Sequence, residues 1–154
     1  MTEALRLAEE AGDRGEIPVG AVCVLNGEII GRGRNTREEF NDPLGHAEIM
    51  AIKEASEFLG TWRLTGVHLY VTLEPCPMCA GAIVNSRIER VIFGTEDLNM
   101  GACGSAVNIM KIKHAFSPKI FRGFMEDECR ELLKRFFAKL RNKFPTAKIY
   151  KKSH

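Results

Sequence analysis

Residues 19–34 read VGAVCVLNGEIIGRGR, and this stretch decides the fold. Val19 to Leu25 is rich in β-formers, Asn26-Gly27 supplies a tight two-residue turn, and Glu28 to Arg34 returns as a second strand. On both sides the period changes. Upstream, Thr2 to Arg14 carries Leu5, Ala8 and Ala11 at helical spacing, and Pro18 marks the exit. Downstream, Arg37 to Gly45 is polar and contains Asp42-Pro43, which reads as a loop. Ala47 to Phe58 then places apolar residues at 49, 52, 55 and 58, a second helix.

The alternation continues. Val67 to Leu73 reads as a third strand and runs into Glu74-Pro75. Cys76 to Ser86 is helical, because prolines 75 and 77 fall in or before its first turn, where no backbone donor is needed. Arg90 to Gly94 is a fourth strand, Asp97 to Ser105 a glycine-rich loop, Ala106 to Ile112 a short helix, and Lys119 to Arg122 a fifth strand. The last helix carries Cys129, Leu132, Leu133, Phe136, Phe137, Leu140 and Phe144 as one apolar stripe, expected to pack mostly on the core. Strands alternating with helices after an initial hairpin predict an α/β fold, a three-layer α/β/α sandwich around a five-stranded mixed sheet. No repeat or linker interrupts it, so residues 1–154 read as one domain with a basic C-terminal helix and tail from about residue 125.

Composition narrows the class. The chain has 154 residues, 45% hydrophobic and 27% charged, which is globular composition and excludes disordered and fibrous classes. The longest apolar runs are a few residues, far short of a bilayer span. Met1-Thr2-Glu3-Ala4-Leu5 turns helical at once, without the basic and apolar segments of a signal peptide, which reads as a cytoplasmic chain. Five cysteines, two of them in Cys-x-x-Cys, then favour reduced thiols and a metal over a disulfide framework. The net charge of +2 hides an asymmetry, with +8 from Arg130 onward and −6 before it. Such a tail can sit on phosphates or simply be a solvated face; charge alone does not choose.

Two segments carry chemistry: Gly45-His46-Ala47-Glu48, and Glu74-Pro75-Cys76-Pro77-Met78-Cys79. Cys76 and Cys79 are three apart on a helix, so their sulfurs share a face and can share one ion. The helix N-terminus lowers thiol pKa and favours the thiolates that zinc needs. His46 adds a third ligand from another helix, and one nitrogen with two sulfurs leaves a fourth tetrahedral position for water, as catalytic zinc sites do. Glu48, two residues on, points near the metal and is placed to move protons. Taken singly the motifs mean little, since Cys-x-x-Cys also serves structural zinc knuckles and redox pairs. A closed structural site needs a fourth side chain, and Cys23, His68, Cys103 and His114 qualify by type. Cys23 and His68 fall inside strands, where core packing explains them; Cys103, in the glycine-rich loop, is the serious rival. Asn35, after the second strand, either reaches the site or bonds its own turn.

His-x-Glu followed by Pro-Cys-x-x-Cys is the known signature of zinc nucleobase deaminases. With it the chain resembles the cytidine and deoxycytidylate deaminase superfamily, and within it the bacterial tRNA-specific adenosine deaminases. The matching stretches are residues 16–22, 42–51, 69–82, 86–88, 93–94, 101–105 and 127–129, with the Phe136-Phe137 pair. The zinc motif identifies the superfamily; the Gly101–Ser105 loop and the C-terminal helix point to the tRNA branch. The resemblance implies a cytidine deaminase-like fold, one zinc per chain, a homodimer, and conversion of adenosine to inosine at the wobble position of a tRNA anticodon stem-loop. It also implies that Asn35 contacts the flipped nucleotide, Asp97 the neighbouring ribose, and backbone at Ala47 and Cys76 the base, with Pro75 and Phe137 completing the contact set. Asn99 and Phe116-Ser117-Pro118 depart from the family's common residues on the side that would face RNA. The alternatives are a deaminase of free guanine, cytosine or a nucleoside, and a non-catalytic RNA-binding module with structural zinc.

Overall fold

The computed structural model describes residues 1–113 and 115–144. His114 and the basic tail at 145–154 lie outside the described residues. The elements run α1 (Thr2–Asp13), β1 (Gly20–Leu25), β2 (Glu28–Arg34), α2 (Ala47–Leu59), β3 (His68–Leu73), α3 (Pro77–Ser86), β4 (Arg90–Thr95), a single 3-10 turn (Ile109–Lys111), β5 (Lys119–Arg122) and α4 (Glu126–Lys143). The sheet order is β2-β1-β3-β4-β5. Strand β1 is antiparallel to both of its neighbours, while β3, β4 and β5 run parallel, so the expected mixed sheet and its five strands are present.

One consequence positions everything else. Because β1 opposes both β2 and β3, those two strands run the same way, and β4 follows β3. The exits of β2, β3 and β4 therefore lie at one end of the sheet. There the chain enters α2, α3 and the 96–105 loop in turn.

Strand alternation sorts the layers. Ala21, Cys23, Leu69, Val71, Val91 and Phe93 are fully buried on the face that receives α2 and α3, with Ala47, Ala51, Ala55, Ala80 and Ile83 packed from the helices. The opposite face receives α1, through Ala4, Leu7, Ala8 and Ala11, and α4, through Cys129. Small residues set the spacing. A Cβ on Gly31 or Gly33 of β2 would run into the backbone of α2 at Ala51 and Ala55, or at Ala47 and Ala51. A Cβ on Gly20 would do the same to α1 at Ala4. Backbone meets backbone here, which fixes the first turn of α2 over the end of β2.

The sequence expectations fail in two places. Ala106 to Ile112 is not a helix: the N–H groups of Ala106 and Val107 turn back to the Gly101 carbonyl, and Cys103 bridges Asn108. Only Ile109–Lys111 winds, with the Asn108 side chain accepting from Met110 N–H. The stripe on α4 is also less buried than its periodicity implies. Cys129 alone is buried; Leu132, Leu133 and Phe136 are half-buried, and Phe137, Leu140 and Phe144 are exposed. The helix crosses the sheet near its N-terminal end, at β4 and β3, and also touches α1, so its C-terminal turns overhang. Elsewhere the differences are single residues with local causes. Val19, for example, stays outside β1 because its N–H turns back to the Ile17 carbonyl at 2.9 Å.

Gly33→Ala is expected to destabilise the fold by about 1–3 kcal/mol through overpacking against α2, read as a lowered urea midpoint with unchanged slope. An unshifted midpoint would mean that α2 does not rest on β2 in the way described.

Candidate metal and active site

His46 and Cys76 are the N-cap residues of α2 and α3, both with extended backbone, φ −89° and −72°. Pro77 opens α3 at its first position, where its fixed φ suits a helix start. The sheet directions above bring these two helix N-termini together. The His46 Nδ1 lies 3.6 Å from Cys76 Sγ and 3.5 Å from Cys79 Sγ. Two ligands roughly 2.0 and 2.3 Å from one ion at a tetrahedral angle stand roughly 3.5 Å apart, so the donor set fits a single tetrahedral cation. Among the described residues, His46, Cys76 and Cys79 are the one such cluster. Cys103 is not in it, and burial pushes its thiol up to about 12.

Electrostatics at the cluster favour a cation. A hydrogen bond from the Cys79 thiol, together with one from the His46 ring N–H, holds Cys76 down at about 4 against the cost of burial. The same bond pushes Cys79 up, and hydrogen bonding to Cys76 raises His46. Two sulfurs and an imidazole thus share protons that a dication would displace. Glu48 lies in the first turn of α2, only 4% exposed, and burial lifts its carboxyl to about 7.

A cavity of about 100 Å³ opens beside the cluster, walled by Ile17, Val19, Asn35, Arg37, His46, Ala47, Glu48 and Leu73. Four residues singled out from sequence, Asn35, His46, Ala47 and Glu48, therefore share one cavity. Asn35 is buried, bonds its own turn and also faces the site. Its Nδ2 donates to the Ile17 carbonyl and its Oδ1 accepts from Arg37 N–H, each at 3.3 Å. One amide hydrogen and one lone pair remain for a ligand.

The other four expected contacts, Pro75, Cys76, Asp97 and Phe137, lie outside that wall. Pro75 is buried, and its carbonyl accepts from Ala102 N–H at 2.8 Å. Asp97 caps its own turn, Oδ1 accepting from Asn99 and Met100 N–H at 3.0 Å, so Asn99 contributes backbone there. Phe137 sits on α4 beside Thr95, Glu96, Arg130, Lys134 and Arg141, against Phe136 in an edge-to-face pair. In the divergent 116–118 segment, the Ser117 hydroxyl donates to the Met110 carbonyl at 2.8 Å.

Sequence reasoning missed the residues that hold the site's loops. Glu16 and Glu74 are buried carboxylates, 1% and 2% exposed. Glu16 accepts the Glu39 N–H at 2.7 Å and so ties down the loop that carries Arg37. Glu74 accepts N–H groups from Asp97, Cys103 and Ser105. The signal in the sequence is a glutamate wedged between a strand and Pro75, since fully buried glutamates are rare unless paired. Arg37 gives no signal beyond its place in a polar loop.

This fold, with its paired helix N-termini, defines a deaminase of the cytidine deaminase-like class. The sequence model of the MafB19-like deaminase family matches residues 1–141. The tRNA-specific adenosine deaminase of Bacillus subtilis (strain 168) is 47% identical over 149 residues, 96% of this chain and 92% of that protein. Its counterpart from Aquifex aeolicus (strain VF5) is 47% identical over 146 residues, 90% and 92% of the two chains. A solved structure from a study of A-to-I editing by tRNA:A34 deaminases at the wobble position superposes with a TM-score of 0.83. It is 45% identical and covers 86% of this chain and 96% of its own. The chain belongs to the family of the tRNA-specific adenosine deaminases.

Asn35→Ala removes both bonds and leaves the Arg37 N–H without its partner, while the Ile17 carbonyl keeps the Val19 N–H. It is expected to cost about 1–3 kcal/mol of stability by denaturant titration. A cost near zero would make Asn35 a free side chain with no part in shaping the cavity.

Proposed function

We propose that this chain hydrolyses adenosine to inosine at the wobble position of a tRNA anticodon, with His46, Cys76 and Cys79 holding one zinc ion and Glu48 moving protons. The observation that carries the reading is the nitrogen-and-two-sulfur cluster with a buried carboxylate two residues from the histidine, beside one cavity. A closed structural site has no use for such a carboxylate, and no fourth side chain joins the cluster among the described residues.

When bound, zinc supplies a Lewis acid that makes water an effective nucleophile at neutral pH. The chain's own residues do the rest. Glu48 takes the proton that the attacking water loses and returns it to the departing amine, so each adenosine consumes one water and releases one ammonia. Ile17, Val19 and Leu73 give the base an apolar wall, while the spare donor and acceptor of Asn35 fix its edge. An anticodon loop suits this cavity because its unpaired bases turn out at small cost.

Further contacts follow the same reading. The second oxygen of Asp97 is left for a ribose hydroxyl, and backbone at Ala47 and Cys76, with the Pro75 ring, is offered to the base. Phe137, exposed among Arg130, Lys134 and Arg141, offers a stacking face beside cations. A homodimer is part of the proposal. Supporting it is the exposed side chain of Trp62, just past the end of α2, which lines a groove with Ile49, Ile52 and Ala82. A cytoplasmic location suits a tRNA substrate, and no helix among the described residues is long and apolar enough to cross a membrane.

The test is inosine formation in an anticodon stem-loop with adenosine at the wobble position, with free adenine, guanine and cytidine alongside. Turnover of the stem-loop is expected; turnover of a free base or nucleoside alone would overturn the RNA assignment and leave the zinc chemistry. Glu48→Ala is expected to keep fold and metal while losing about 10²–10⁴-fold in turnover. Comparable turnover in that variant would remove Glu48 from the reaction. Cys76→Ala should lose the metal by elemental analysis and Cys103→Ala should keep it; the reverse pattern would redraw the ligand set.

A further inference from the structure

The loop that follows β4 folds around one side chain. Glu74 Oε2 accepts the Asp97 N–H at 3.1 Å, and Oε1 accepts those of Cys103 at 3.0 Å and Ser105 at 3.1 Å. These three donors come from both ends of the loop, so one carboxylate closes it. Two backbone bonds extend the seam: Glu74 N–H to the Thr95 carbonyl at 2.9 Å, and Ala102 N–H to the Pro75 carbonyl at 2.8 Å. Gly101 lies so close that a Cβ there would strike the Glu74 carboxylate and the Asp97 carbonyl.

Glu74 itself belongs neither to the His46–Cys76–Cys79 cluster nor to the cavity wall. What it holds is exposed. Leu98 is 76% and Met100 55% accessible on a loop whose backbone is pinned, at the sheet end where α2 and α3 begin. A loop whose backbone is already fixed suits a contact surface, because a prearranged loop loses little freedom on binding. A carboxylate is suited to hold such a loop because its two oxygens carry enough lone pairs for three N–H donors. A glutamine has one oxygen, and its amide group would set donor against donor.

We propose that Glu74 is a positioning residue for the substrate, fixing residues 97–105 against Pro75-Cys76 so that the loop forms a rigid wall on which the RNA lies. It acts on substrate binding and leaves metal retention and proton transfer alone. The inference rests on the reading of the chain as an enzyme acting on an anticodon stem-loop.

Steady-state kinetics on that stem-loop, with metal content measured for each protein, test it in the wild-type chain, E74Q and G101A. Both variants loosen the same seam, one from each side. Each is expected to raise KM about tenfold with kcat within about twofold and one metal per chain. A merely structural defect would instead lower the active fraction, cutting kcat and leaving KM unchanged, and that result overturns the proposal. Unchanged KM in both variants overturns it too. If E74Q sheds its metal or fails to fold, G101A decides: a tenfold rise in KM with metal retained supports the loop's role, and an unchanged KM ends it. Absence of inosine with the wild-type chain would overturn the RNA reading and this inference together. Inosine with unaltered KM in the variants would overturn this inference alone.

Discussion

Strand direction is the constraint on which this molecule depends. With β1 antiparallel to both β2 and β3, the two strands that flank it must deliver their following helices to the same end of the sheet. That places His46 and Cys76 at adjacent helix N-termini, although 30 residues separate them. A helix N-terminus carries partial positive charge and free N–H groups, so it stabilises thiolate before any ion arrives. Reversing one of these pairings would leave the histidine and the cysteines on opposite ends of the sheet, and no local motif would compensate.

The chemistry is then held by close packing and by buried charge. Glycines 31 and 33 let α2 rest its backbone on β2, which fixes where its first turn, with Glu48, can lie. Two buried carboxylates take the loops. Glu16 secures the segment between β2 and α2, and Glu74 secures the one after β4. Glu74 accepts three backbone N–H groups and Glu16 one, which offsets part of the cost of burying a carboxyl group. The result is a reactive cluster on rigid elements with loops clamped around it, so little ordering is left to be done when a substrate arrives.

Much of this is legible in the sequence, for identifiable reasons. Asn26-Gly27 between two β-rich runs marks the hairpin, and β2 and β5 fall at the residues their composition indicates. His46, Cys76 and Cys79 are readable because each motif opens a helix, and helix starts are marked by loops and prolines that local sequence reveals. What cannot be read is non-local. The 106–112 segment has helical composition but spends its backbone donors on Gly101. The α4 stripe has helical period, yet how much of it meets the sheet depends on where the helix crosses. The family resemblance offers Asp97 as a ribose contact, whereas its place in a self-capped turn held by Glu74 comes only from three-dimensional contacts.

The central claim is a metal held by one nitrogen and two sulfurs from this chain, with the fourth position not filled by a protein side chain. X-ray absorption at the zinc edge, on the purified wild-type chain, tests it most directly. The account predicts one zinc per chain with two sulfurs at roughly 2.3 Å, one imidazole nitrogen at roughly 2.0 Å, and one further light atom. A shell of three or four sulfurs, or a site closed by a second imidazole, would make the metal structural and contradict the account.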